Sequence, residues 1–145
     1  MWPVHCAVAA ADDLNEKIID EFRANGGKVG GRFEGAPLLL LHTTGAKTGR
    51  TRVKPLAYRR DGNRLVVFGT KGGAPDHPDW YYNVRTNPRV TVEVGTDRFE
   101  ADARVAQPEE RDRIWRLQTQ DVPVMADYQE RVDRTIPVVI LERVE

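Results

Sequence analysis

Scarcity says the first useful things about this chain. Cys6 is the only cysteine in 145 residues, so no internal disulfide framework and no cysteine-built metal cluster is available. Such sparing use fits a reducing cytoplasm. His5, His42 and His77 are the only histidines, too scattered to build a metal site, and none is expected. No segment approaches the roughly 20 apolar residues of a membrane span. Lysine plus arginine and aspartate plus glutamate both number 22, so no global field draws in nucleic acid or an acidic membrane surface. Neither GxxxxGK[ST] nor GxGxxG occurs, there is no Ser/His/Asp order suited to nucleophilic catalysis, and no repeat or low-complexity tract interrupts the chain.

What remains is an ordinary globular composition, 40% apolar and 30% charged, of a size that fits one domain with a substantial core. The opening MWPVHCAVAAADD has a short apolar patch with no basic region ahead of it, so it reads as a leader and not as a signal peptide. The expected organisation is a flexible leader over residues 1–12 and a single domain over 13–145.

Charge is missing locally as well. From Leu38 to Arg60 there is no aspartate or glutamate, while Lys47, Arg50, Arg52, Lys54, Arg59 and Arg60 are basic. At the centre lies GAKTGRTR, Gly45 to Arg52, just after the apolar run Leu38–Leu41. Glycines let the backbone turn tightly and approach a ligand. Arginine forks, a lysine point charge and a threonine hydroxyl are the groups that hold phosphate or carboxylate. A second loop of the same character, Gly69-Thr70-Lys71-Gly72-Gly73-Ala74, is expected to converge with it on one anionic ligand.

Patterning places these loops between strands. A first helix is expected over Asp13–Asn25, with Asp13 and Glu16 at capping-box spacing and Leu14, Ile18 and Phe22 on one face. After a glycine-rich linker, Leu38–Thr44 reads as a strand. Arg52–Arg60 and Arg64–Thr70 form a hairpin about Asp61-Gly62-Asn63. Pro78–Thr86 suits a short helix with Pro78 at its first position. Val90–Val94 and Phe99–Val105 alternate as half-buried strands. Pro108, followed by Glu109 and Glu110, opens another helix, Val124–Arg134 a further one, and Pro137–Leu141 closes as a strand. The fold class is α+β, an antiparallel barrel of about six strands with helices packed outside it.

No acid, base or nucleophile stands out, which suggests a bound cofactor that brings its own chemistry. In PDHPDWYYN, Trp80 and Tyr81 read as packing residues, and His77 either caps the following helix or orients a ligand.

Taken in order, LLLHTTGAKTGRTR, Pro55-Leu56, Tyr58, Gly69–Ala74 with Pro75, His77-Pro78, Trp80-Tyr81, Asn83, Asn87-Pro88, Val90–Gly95, Ala126-Asp127-Tyr128-Gln129 and Ile136-Pro137-Val138 resemble the deazaflavin-dependent nitroreductase family of actinobacteria. The resemblance implies a split β-barrel that binds coenzyme F420, an 8-hydroxy-5-deazaflavin with a phospholactyl-oligoglutamate tail. It assigns Lys47, Thr48, Gly49, Arg50 and Arg52 to the tail, and Pro55, Leu56 and Tyr58 to the neighbourhood of the deazaflavin. Gly69, Thr70, Lys71, Gly72 and Ala74 match the segment near the ring and phosphate, and His77 and Trp80 complete the candidate cofactor-binding set.

The implied activity is hydride transfer from the reduced coenzyme to a small activated acceptor. One departure bears on which acceptor. Where some members carry several tyrosines, this chain has VPVMADY, keeping only Tyr128, with Val122 and Met125 in place of hydroxyls. A more apolar pocket favours a quinone-like acceptor over a nitroimidazole. Tyr128 is the candidate proton donor or positioning group, or else a buried helix tyrosine. The alternative to an enzyme is a non-catalytic binder or carrier of F420, FMN or haem. A nucleic-acid module is disfavoured by the neutral charge. The protein is expected to be cytoplasmic, monomeric or homodimeric. Peripheral membrane contact through the first helix is left open, although the acids on that helix argue for docking on the barrel.

Overall fold

A computed structural model of the chain describes residues 11–30 and 37–144. Four helices and six strands follow in the order α1 (Ala11–Ala24), β1 (Leu38–Thr44), β2 (Thr51–Asp61), β3 (Arg64–Phe68), α2 (Asp79–Thr86), β4 (Arg89–Val94), β5 (Asp97–Val105), α3 (Pro108–Asp121), α4 (Val124–Glu130) and β6 (Val138–Arg143). The strands close into an antiparallel barrel in the order β1-β2-β3-β6-β5-β4, with β4 pairing back onto β1. The registers are staggered: β2 pairs with β1 over Thr51–Ala57 and with β3 over Tyr58–Asp61.

Alternation along each strand explains the core. Leu39 and Leu41 of β1, Leu65 and Val67 of β3, Val90 and Val92 of β4, Ala101 and Ala103 of β5, and Val139 and Leu141 of β6 fill the barrel, with Trp80, Tyr81 and Val84 of α2 packed into the same cluster. The residues between them point outward and are also covered. Val66, Phe68, Val138 and Ile140 meet Ile114 of α3 and Met125 and Tyr128 of α4. Leu38 and Leu40 meet Ile18 and Phe22 of α1. A strand buried on both faces needs no polar alternation, which is why β1 reads LLLL.

Ion pairs fasten α3 to the barrel. Asp61, at the β2–β3 turn, accepts from Arg113 of α3 at 2.9 and 3.0 Å and also from Arg64. Arg104 of β5 grips Glu110 of α3 at 2.8 and 2.9 Å. Glu110 also receives the Gln107 backbone N–H at 3.0 Å, so Pro108 and the acids behind it open α3 as expected.

Several boundaries differ from the sequence reading. α1 begins at Ala11, so Asp13 lies inside the helix and not at its cap, and Ala11 and Asp12 belong to α1 and not to a leader. The rest of that leader, residues 1–10 with His5 and Cys6, lies outside the described residues, as do linker residues 31–36. Pro78 occupies the cap of α2 and not its first position. α4 stops at Glu130, because residues 131–136 turn back to bring Arg134 under the β3–α2 loop. Among the described residues, no helix is long and apolar enough to cross a membrane.

Candidate cofactor cleft

β1 and β2 pair from Leu38↔Ala57 to Thr44↔Thr51, so residues 45–50 form the connection between them. That loop is closed on itself. Gly45 N–H donates to Arg50 O at 2.7 Å and Gly49 N–H to Gly45 O at 2.9 Å. Thr48 Oγ1 accepts the Arg50 N–H at 3.2 Å. Gly49 has φ +70, a left-handed conformation that glycine adopts without strain. At Gly45 the constraint is space: a Cβ there would stand 2.7 Å from Thr48 Oγ1 and 3.2 Å from Arg50 O.

α2 pins the loop from below. Buried Asn83 accepts the Ala46 N–H at 2.9 Å and donates to Thr43 Oγ1 at 3.1 Å. One turn later, Asn87 donates to Thr44 O at 3.4 Å. Asn83→Ala leaves the Ala46 N–H and the buried Thr43 hydroxyl without these partners, a loss of about 2 kcal/mol. The expected fall in Tm is about 6 °C, with weakened anion binding at the loop. An unchanged Tm in a thermal melt would show that the clamp carries no load.

Over the loop opens a cleft of about 1220 Å³ between α1, the start of β2 and the beginning of α2. Lys47, Thr48, Arg52 and Lys54 line one side, Glu16, Asp20 and Asp79 add acids, and Ile19, Val53 and Trp80 supply apolar surface. Among the described residues, Lys47, Arg50, Arg52 and Lys54 have no acid within ion-pair distance. The next basic residues are committed elsewhere. Arg59 bonds Asp121 at 2.6 Å, and Arg60 lies over the Tyr58 ring at 5.7 Å. Lys47, Arg52 and Lys54 thus bring three cations without an ion-pair partner among the described residues to the lining of this cleft.

One carboxylate fixes the wall opposite. Glu93 of β4 accepts from Arg23 of α1 at 2.8 and 3.3 Å and from His42 of β1 at 2.6 Å. The Arg23 hydrogen bond, followed by that of His42, overrides the cost of burial and holds the carboxyl down from 4.5 to about 2. A carboxyl whose folded pKa is depressed contributes stability above its ordinary pKa and loses it on protonation. Glu93 therefore holds α1 in place above about pH 4.5 and releases it as pH falls toward about 2. Stability measured across that window should drop in the native chain, and Glu93→Gln should flatten Glu93's share of the slope. Asp61, also held at about 2 by Arg113 and Arg64, will keep part of the slope in the variant.

The second glycine-rich loop does not line this cleft. Residues Lys71–Gly73 form a 3-10 turn, and Lys71 has φ +46. Arg134, from beyond α4, holds the loop: its guanidinium donates to Gly69 O at 2.9 Å, Thr70 O at 3.0 Å and Ala74 O at 3.2 Å. The same group stands 3.0 Å from His77 Nδ1, which must accept, leaving a neutral ring protonated at Nε2. Burial first, then the charges of Arg134 and Arg85, hold the His77 pKa below its ordinary value. His77 makes no cap to α2. It packs instead on Tyr81 at 4.6 Å and Tyr82 at 5.8 Å between ring centres.

Of the expected site residues, the structure gathers Lys47, Thr48, Arg52 and Trp80 around the cleft, with Gly49 and Arg50 in the same loop. Pro55, Leu56 and Tyr58 continue along β2, the last two half-buried against the barrel interior. Gly69, Thr70, Ala74 and His77 meet at Arg134, with Lys71 and Gly72 in the turn between them. Tyr128 is 3% exposed in the cluster of Phe68, Met125 and Ile136. A Cβ at Gly73 would come 3.2 Å from its ring. Val122 and Met125 are buried in the same cluster, and none of the three lines the cleft. Reasoning from sequence assigned no role to Asn83, Arg134 or the α1 wall. Asn83 and Asn87, four apart at the end of a short helix, were the available signal for the first.

The six-stranded closed barrel thus carries a basic, glycine-hinged cleft at its β1–β2 connection. A sequence model of the F420H(2)-dependent quinone reductase family matches residues 16–143. A Mycobacterium tuberculosis relative, F420H(2)-dependent quinone reductase Rv1261c, is 43% identical over 126 residues, covering 84% of this chain and 85% of its own. A solved F420-H2 dependent reductase (FDR-A) is 41% identical with a TM-score of 0.67, over 73% of this chain and 94% of that one. A further solved structure, described as a domain-swapped dimer, is 36% identical with a TM-score of 0.69, over 92% of this chain and 100% of that one. The chain belongs to the F420H(2)-dependent quinone reductase family.

Proposed function

We propose that this protein is an oxidoreductase that reduces quinones with coenzyme F420H2. The observation that carries the reading is the group of cations, Lys47 on a self-bonded loop with Arg52 and Lys54 on β2, that lines a cleft of about 1220 Å³. When bound, the reduced coenzyme supplies a hydride. With one proton, that hydride converts a quinone to its hydroquinone.

The protein's own contribution is to bind, orient and exclude water. In this reading Lys47, Arg52 and Lys54 hold the phosphodiester and carboxylates of the tail, with Arg50 at the loop's outer edge. Thr48 and the loop amides supply neutral donors. Pro55, Leu56 and Tyr58 on β2, with Gly69, Thr70, Lys71, Gly72 and Ala74, flank the deazaflavin. His77 acts through Arg134 to set that second loop. Trp80 closes the apolar side of the cleft.

Tyr128 serves as proton donor or positioning group for the acceptor, with Val122 and Met125 keeping its surroundings apolar. Tyr128→Phe is expected to lower kcat on the order of a hundredfold with coenzyme affinity preserved. An unchanged kcat would return Tyr128 to a packing role. Single-turnover oxidation of bound F420H2 by a panel of quinones tests the function itself, because a mere carrier of the coenzyme accelerates none of them.

We extend the reading to a homodimer. Its support is the 36% identical structure described as a domain-swapped dimer, and light scattering at working concentration checks it.

A further inference from the structure

We infer that the acidic face of α1, Glu16 with Asp20, limits how much negative charge the cleft accepts and so sets the enzyme's preference for coenzyme tail length. The inference rests on the reading that the tail lies in this cleft.

Glu16, Asp20 and Arg23 succeed one another at i, i+4 and i+7, the spacing that puts them on one face of α1. All three line the cleft. Arg23 is spent on Glu93, at 2.8 Å, and that clasp fixes the rotation of the helix, so the two carboxylates remain turned toward the ligand. Neither has a cationic partner within ion-pair distance among the described residues. Asp79, at the start of α2, adds a third acid to the lining. The cleft therefore has two poles, with Lys47, Arg52 and Lys54 on the loop side and carboxylates on the helix side.

A cavity of about 1220 Å³ leaves no point far from either wall on the scale of the roughly 8 Å screening length at physiological salt. The first anionic groups of a tail are matched by the three cations. Every glutamate beyond them adds a carboxylate that must lie near Glu16 and Asp20, where like charges repel. Burial cannot relieve this, since both acids are exposed.

The test measures binding of F420 with a short and with a long oligoglutamate tail by fluorescence titration, at low and high salt. Proteins are the native chain, the Glu16→Gln/Asp20→Asn variant and Lys47→Ala. The double variant should bind the long-tailed coenzyme roughly threefold more tightly at low salt, with the short-tailed form little changed and the gain lost at high salt. An equal gain for both tails, or no gain, overturns the inference while leaving the tail in the cleft. Affinity for both coenzymes that ignores Lys47→Ala overturns the placement of the tail itself, and the inference with it. Both acids are exposed and outside ion-pair distance of a cation among the described residues, and Asp20 keeps only a longer-range attraction to Arg23, so the substitutions should change the thermal melt little.

Discussion

Lys47→Ala combined with Arg52→Ala is expected to weaken coenzyme F420 binding by about a hundredfold at low ionic strength. Hydrogen bonds to charged groups contribute about 1.5–3 kcal/mol each, and each 1.4 kcal/mol is about tenfold in affinity. Both side chains are exposed, so the lower end of that range applies to each. The loss should shrink with added salt, because the native affinity falls through screening while the variant has less to lose. Neither side chain has an ion-pair partner within the described protein, so the variant's melting temperature should match that of the native chain. This pairing of a large binding defect with unchanged stability is what a ligand cradle predicts. A structural salt bridge would show the reverse. Unchanged affinity would remove these residues from the site.

The basic loop at the cleft was legible in the chain because its signals are local. Two glycines, a threonine and alternating cations lie within Gly45–Arg52, flanked by strands whose patterns are unmistakable. The strands were legible for the same reason: alternation in β4 and β5, and a turn at Asp61-Gly62-Asn63, depend on neighbours in sequence. What escaped depends on distant partners. Arg23 meets Glu93 across 70 positions, and nothing local in α1 says that Glu16 and Asp20 will face a cleft. Asn83 reads as an ordinary helix residue until Thr43 and Ala46 are brought beneath it. The end of α4 was placed too late because Tyr128 and Val132 keep helical spacing. The chain leaves the helix after Glu130 all the same, and the turn that follows lets Arg134 donate to three carbonyls of the β3–α2 loop.

Arg134→Ala should be the most destabilising single change in the site. One guanidinium serves Gly69 O, Thr70 O, Ala74 O and His77 Nδ1, a set of acceptors that no other side chain among the described residues is bonded to. Arg134 is partly exposed, so water replaces some of the lost bonds, and a loss of about 3 kcal/mol is expected from the low end for charged donors. For a chain of this size that lowers Tm by about 10 °C. Arg134→Lys should recover little, because an ammonium keeps the charge but not the planar fork that reaches several acceptors at once. Stability alone would not separate this hub from any buried contact. His77 does. Its pKa is held down by burial and then by the Arg134 charge, so removing that charge should move the His77 titration upward, toward its ordinary value. Following the His77 ring proton by NMR across pH reads this directly. A destabilised variant with an unmoved His77 would mean that the guanidinium does not face the ring. An upward shift ties the second glycine-rich loop, the neutral histidine and the turn after α4 into one unit.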